Sequence, residues 1–255
     1  MPRSVVGVDT ADGVTVITIQ RPHVKNALNA QTAHEIGAAI DRVEQSDDVR
    51  VAIITGQGDT FCSGMDLRAF GSGEVPSTRS RGFAGIARRP PSKPIIAAVE
   101  GYAVAGGFEL VLACDLVVAA SNAQFGLPEV KRGLVAAGGG LLRLPRRVPR
   151  NVAMELILTG GLLPADRAHQ LGLVNRVVPP GTALDQARAL ADAIRANAPV
   201  AVRVSKQVVT ESADWPQDEA FARQSEIVAP ILTSEDAREG ARAFREKRPA
   251  IWRAR

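Results

Sequence analysis

Apolar and polar positions fall into blocks along the chain, and the blocks predict its elements. Val5–Asp9 and Val14–Gln20 are β-type runs joined by Asp12-Gly13, the residues of a tight hairpin turn. Arg21-Pro22 closes the second run. Asn29 stands as an N-cap before a helix in which Ile36, Ile40 and Val43 recur on one face, ending near Ser46. Val49–Thr55 reads as the next strand, followed by a Gly-containing loop and Phe61–Leu67. The most apolar stretch, Lys93–Arg132, gives a strand at Ile95–Val99, a stop at Gly101 and a turn at Gly106-Gly107. A helical pattern at Phe108–Ala113 and a strand at Leu116–Ala120 follow. Strand, Gly-rich loop and helix thus occur twice, so an α/β spiral of successive ββα turns is expected.

Further on, Gly71–Thr78 has the composition of a mobile loop and is the expected lid over a substrate entry. Asn151–Leu158 and Pro164–Leu171 read as helices, and Leu173–Val178 as the last strand. From Leu184 the pattern is helical, interrupted at Pro199, Trp215-Pro216 and Pro230. Ser234 opens a final helix with Glu235 and Asp236 at its positive end. The change near Ala198-Pro199 divides the chain into an expected α/β core, residues 1–198, and a helical region, residues 199–255, that packs on a neighbouring subunit.

Composition narrows the function. The 255 residues suffice for one large core, with 45% hydrophobic and 23% charged residues, as in ordinary globular proteins. A net charge of +4 suits an anionic ligand without demanding nucleic acid. The N-terminal MPRSVVGVDTADG lacks a signal-peptide core, and Glu100, Glu109 and Asp115 interrupt the most apolar region, so no membrane span is expected. Cys62 and Cys114 are too few for a disulfide framework, which points to a reducing cytoplasm. His23, His34 and His169 are scattered without metal-ligand spacing and read as surface or structural. The chain has no Walker phosphate loop and no G-x-S-x-G elbow.

Two carboxylates break the apolar centre: Glu109, at the start of a helix behind Gly106-Gly107, and Glu129, after Pro128. A carboxylate in apolar surroundings is costly unless it is paired or used. One such residue is most simply a turn cap or an arginine partner; two beside a Gly-rich helix start point to a site.

The motifs carrying these residues resemble the crotonase superfamily, in its enoyl-CoA hydratase branch. The resemblance rests on Arg21-Pro22 with Asn26-Ala27-Leu28-Asn29, on FCSGMDL at 61–67 and on KPIIAAVEGYAVAGGFEL at 93–110 with ACDLVVAA. QFGLPEVKRG at 124–133 and the tail block SEDAREGARAFREKR at 234–248 extend it over essentially the whole chain. It implies a ClpP-like spiral of ββα units with a C-terminal helical trimerisation region, and reversible addition of water across the 2,3 double bond of an enoyl-CoA. The coenzyme A thioester is then the substrate, and no metal or redox cofactor is needed.

The backbone N–H groups of Met65 and Gly106 are implied as the oxyanion hole for the enolate, with Glu109 activating water and Glu129 delivering a proton to C2. Ala27, Leu28, Ser63, Gly64, Asp66 and Leu67 are implied near the coenzyme A. Phe244 and Lys247 are implied as contributions of a neighbouring subunit to its nucleotide end. Arg21 and Lys25 are weaker phosphate candidates. Met65 stands where many relatives carry Ala, which narrows the expected acyl channel. Similarity to carnitinyl-CoA dehydratase-type members keeps that reaction open, although a trimethylammonium chain wants aromatic or acidic partners. An apolar enoyl chain is therefore preferred.

Δ3,Δ2-enoyl-CoA isomerisation by Glu129 alone is the alternative within the family. An RNA-binding relative is a different class, suggested by the basic runs Arg143–Arg150 and Arg79–Arg89, which without interleaved aromatics read as solvated faces or coenzyme-side charge. An idle scaffold has no reason to keep two desolvated acids. The family is generally trimeric or hexameric, so a homotrimer or a dimer of trimers is expected, with no nucleic acid or membrane partner.

Overall fold

The computed structural model describes residues 4–254. A hairpin opens it: β1 (Val6–Ala11) and β2 (Val14–Ile19) pair antiparallel, with Ala11 opposite Val14. Asp12 and Gly13 both hold positive φ, 49° and 77°, which turns a two-residue loop in the hand that matches strand twist. α1 (Ala30–Gln45) begins where the Asn29 side chain accepts the Thr32 N–H, and it buries Ile36, Ile40 and Val43 as the spacing predicts. Lys93 closes its other end, donating Nζ to the carbonyls of Val43 and Ser46 that the helix leaves unpaired.

β3 (Val51–Gly56), α2 (Leu67–Gly71) and the two-residue pair β4 (Ser77–Thr78) and β5 (Gly82–Phe83) follow. The central stretch forms β6 (Ile95–Val99), β7 (Tyr102–Val104), α3 (Gly106–Leu112), β8 (Leu116–Ala120) and β9 (Gln124–Gly126), ending in a 3₁₀ turn over Pro128–Arg132. Then come α4 (Gly140–Arg147), α5 (Arg150–Thr159), β10 (Leu163–Pro164), α6 (Ala165–Gln170) and β11 (Arg176–Val178). The remainder is helical: α7 (Ala183–Arg195), α8 (Pro199–Glu211), α9 (Ala220–Leu232) and α10 (Glu235–Glu246).

The main sheet runs β1-β2-β3-β6-β8-β11, parallel throughout except for the opening hairpin. β3 and β6 are buried on both faces, which explains their continuous apolar sequences. Ile54 and Ala97 face the core shared with α1, whereas Val51, Ile53 and Ile96 face α7. α7 meets them with fully buried Ala183, Ala187 and Ala191, one small residue per turn, so helix and sheet approach closely.

A second, smaller layer stacks the spiral. β7 and β9 run parallel with Ala103 opposite Phe125, β10 adds Leu163 antiparallel, and Cys62 bridges to Ala103 on the other side. Four successive turns of chain therefore meet in one ladder. β7 and β9 were outside the sequence expectation: three residues long, they owe their extended form to this cross-turn pairing rather than to local propensity. The expected last strand, Leu173–Val178, shortens to Arg176–Val178, because Leu173 and Val174 donate their amides back to Ala168 at the end of α6.

Two further expectations are corrected. Pro230 does not interrupt the tail; it lies inside α9, which continues to Leu232. Arg81 is not a solvated flank of the lid but 2% exposed, its guanidinium donating to Asp41 on α1 and to the Arg89 carbonyl. Among the described residues, no helix is long and apolar enough to cross a membrane.

Candidate active site

The strand-like segment Cys62–Asp66 is placed by a knot of buried polar groups. Asn26 is fully buried at positive φ, accepts the Arg21 N–H, and donates its amide to the carbonyls of Gln57 (2.9 Å) and Thr60 (2.7 Å). Arg21 donates to the Ala27 carbonyl and pairs with Asp66 at 2.9 Å, so it is held inside the fold and is not a free phosphate ligand. Leu28 then forms a parallel bridge with Met65: its N–H donates to Gly64 O (2.7 Å) and its carbonyl accepts the Asp66 N–H (2.8 Å). The Met65 N–H between those two bonds has no protein partner among the described residues.

Across from it, Ala105 adopts φ 50° and ψ −128°, a costly conformation for a residue with a Cβ, and turns the chain into α3. Gly106, the first residue of α3, has an N–H with no intrahelical acceptor and no other protein partner among the described residues. A Cβ on Gly64 would lie 3.1 Å from that nitrogen, and one on Gly107 would lie 2.2 Å from Cys62 O. The two segments touch backbone to backbone, and Met65 and Gly106 both line one cleft of about 1080 Å³ together with Glu109 and Glu129.

Glu109, one turn into α3, is 3% exposed and accepts the Gly140 N–H at 2.9 Å. Burial is the main influence on its carboxyl and the Glu129 charge adds to it, raising the pKa to about 7 against the pull of the Gly140 and Gly138 amides and of Arg143. Glu129, in the 3₁₀ turn, is likewise pushed up by burial, and its Oε2 is a buried oxygen without a partner. Cys62, fully buried beneath the site, has its thiol pushed up to about 12 by burial and is inert.

Not every implied coenzyme contact lies open. Ser63 and Leu67 line the cleft, Leu67 half exposed. Leu28 is completely buried with both backbone groups committed, and Ala27 is 7% exposed, so these two position Met65 rather than offer side chains to a ligand. Asp66 caps α2 through the Arg68 and Ala69 amides; burial works against its charge, but Arg21 and those amides hold its carboxyl below the ordinary range. Phe244, 86% exposed, and Lys247, the left-handed cap of α10, do not line the cleft of their own chain.

Two features escaped the sequence reading. Gly138 and Gly140 form the other wall of the carboxylate pocket: a Cβ on Gly138 would lie 2.7 Å from Glu109 Oε2 and 2.6 Å from Phe83. The run Gly138–Gly140 was the available signal. Arg143 and Arg147, expected on a solvated face or as coenzyme-side charge, turn inward from α4 and donate to the carbonyls of Ala87 and Cys114.

The spiral of ββα turns with its helical tail is a crotonase fold, and the cleft at its centre makes the chain an enzyme of that class. The chain belongs to the enoyl-CoA hydratase/isomerase family, whose model matches residues 9–255. An enoyl-CoA hydratase from Mycobacterium tuberculosis H37Rv superposes with a TM-score of 0.97 at 54% identity, over 99% of this chain and 100% of that one. A carnitinyl-CoA hydratase from Mycobacterium avium gives a TM-score of 0.79 at 42% identity, over 99% and 100% of the two chains. The carnitinyl-CoA dehydratase of Proteus mirabilis (strain HI4320) is 41% identical over 254 residues, 96% of this chain and 97% of that protein.

Proposed function

We propose that the protein is an enoyl-CoA hydratase, adding water reversibly across the 2,3 double bond of a 2-enoyl-CoA. The reading rests on one observation above the others: Glu129 keeps a buried carboxyl oxygen, unpartnered among the described residues, beside Glu109 in the cleft that Met65 and Gly106 also line. An unsatisfied buried oxygen is an expense unless a reactant meets it.

The thioester oxygen lies between the two amides, which donate to it more strongly as enolate charge develops. Water held on Glu109 attacks C3 and gives its proton to that carboxylate; Glu129 delivers a proton to C2, and the pair then exchanges protons with solvent. Burial raises both carboxyls, Glu109 to about 7, so near neutrality Glu109 can both take up and release a proton, as this exchange needs. No metal or redox cofactor takes part. The coenzyme A extends past Ser63, Gly64 and Leu67, and its nucleotide end meets Phe244 and Lys247 of a neighbouring copy. The tail, residues 199–255, serves as the oligomerisation region of a trimer or a dimer of trimers.

Dehydration of a carnitinyl thioester is the second reading, on the strength of the 41% identical relative. The cleft weighs against a cationic acyl chain: Arg88, Arg132, Arg143 and Arg146 line it, against one carboxylate, Asp214, outside the catalytic pair.

The test is loss of enoyl-thioester absorbance with wild type, Glu109→Gln and Glu129→Gln. Each variant is expected to lose about 10²–10⁴-fold in kcat. Retention of activity by Glu109→Gln on a 3-enoyl-CoA would transfer the assignment to isomerisation.

A further inference from the structure

Among the charges lining the cleft that the hydration chemistry does not use, Arg143 stands out. Arg143 lies one turn along α4 from Gly140, the residue whose amide binds Glu109, and lines the same cleft as Met65, Gly106 and Glu109. Its guanidinium is half-buried, with one Nη donating to Ala87 O and the other lying over Gly139, where a Cβ would come within 2.1 Å. It makes no ion pair among the described residues, and neither does Arg147, four residues along the same helix and also half-buried. Like charges at that spacing repel, and although Arg143 and Glu109 influence one another through space, no carboxylate of the described residues forms an ion pair with this guanidinium, whose hydrogen bond is to Ala87 O.

Arg146, three residues on, is occupied by Asp214 at 3.3 Å, and Arg88 follows the residue that Arg143 grips. Outside the catalytic pair, the cleft lining therefore carries four arginines, Arg132 among them, and one carboxylate, Asp214. Leu134, Val135 and Leu142 give the same cleft its apolar wall.

We infer that the acyl chain taken by this cleft is apolar along its stem and ends in a carboxylate, which Arg143 receives through its unused N–H groups. The inference rests on the acyl-CoA reading and names its substrate class: ω-carboxyacyl thioesters, the half-esters of dicarboxylic acids. A rival role, Arg143 as counter-charge to Glu109, leaves the distal group of the acyl chain without influence.

Binding separates these without requiring turnover. Saturated glutaryl-, adipyl- and suberyl-CoA are titrated calorimetrically into the wild-type protein, each beside the straight-chain acyl-CoA of the same length. A charge-assisted contact to a half-buried guanidinium makes the carboxylated ester of the best-fitting length at least about tenfold tighter than its alkyl counterpart. Arg143→Gln brings that ratio to near one, whatever it does to absolute affinity, and Arg143→Lys restores part of it. Asp214→Asn, which removes the competing carboxylate at an exposed position, raises it.

Equal affinity for both members of every pair in the wild type overturns the inference and leaves the hydratase reading standing. A preference that survives Arg143→Gln overturns the assignment to this residue. Failure of every ester to bind overturns the acyl-CoA reading itself. Should Arg143→Gln not fold, the wild-type ratio and the Asp214→Asn shift decide.

Discussion

Glu109 is buried where a carboxylate is least welcome, and that has a cost measurable apart from catalysis. Its folded-state pKa, about 7, lies above the ordinary 4.5, so the folded protein holds a proton that the unfolded chain releases between those values. The stability tied to that proton is fully present below about pH 4.5 and is lost as pH rises through about 7. The whole shift corresponds to about 3 kcal/mol. Glu109→Gln removes the titration, so the variant gains on wild type between pH 4.5 and about pH 8. Urea denaturation of both proteins at the two pH values reads this directly, and a constant difference between them would refute the shift. Gly138→Ala pushes a methyl into Glu109 and Phe83 and is expected to lower kcat about tenfold or more, in keeping with the sensitivity of reacting groups to displacement. Chemistry made the two glutamates legible in the sequence, because buried acids must be used or paired. The run Gly138–Gly140 marks a close approach in the sequence, but what it and Arg143 approach is not legible there, since only the folded chain brings residues 138–143 against residue 109.

Among the elements, those fixed by local rules were readable: the Asp12-Gly13 hairpin, the Asn29 cap, and the strands Ile95–Val99 and Leu116–Ala120 with their observed bounds. Elements that exist only through pairing between turns, β7 and β9, gave no local signal. The same division applies to Arg21 and Asn26, whose motif pointed toward a ligand but whose side chains hold the Leu28–Met65 bridge in place. Arg21→Met is therefore expected to lower kcat through misplacement of the Met65 amide while KM for the coenzyme A ester changes less; a pure KM effect would restore a ligand role. Asn29→Ala, by contrast, should cost about 1 kcal/mol of stability, as loss of a helix cap does, with no change in the pH profile. Denaturation curves beside kinetics separate the two cases.

At the scale of the whole molecule, α8, α9 and α10 expose apolar side chains that a lone chain has no reason to present: Val209 is 75%, Phe221 80% and Leu232 73% exposed. Sedimentation should accordingly find a trimer or larger assembly, and Phe221→Ser should shift it toward monomer; a wild-type monomer would contradict this. The helical character of this region was readable from its periodicity, but the partner it covers is not a property of one sequence. Lastly, the ladder that brings Cys62–Asp66 against Ala105-Gly106 leaves the N–H groups of Met65 and Gly106 without protein acceptors among the described residues. This gives the enzyme an internal spectroscopic probe. In an amide exchange or NMR titration, Met65 and Gly106 should report on an oxygen arriving between them, while Leu28 and Asp66, already bonded, serve as the silent reference. Occupancy of the reaction centre thereby becomes observable with unreactive thioesters, one backbone proton at a time.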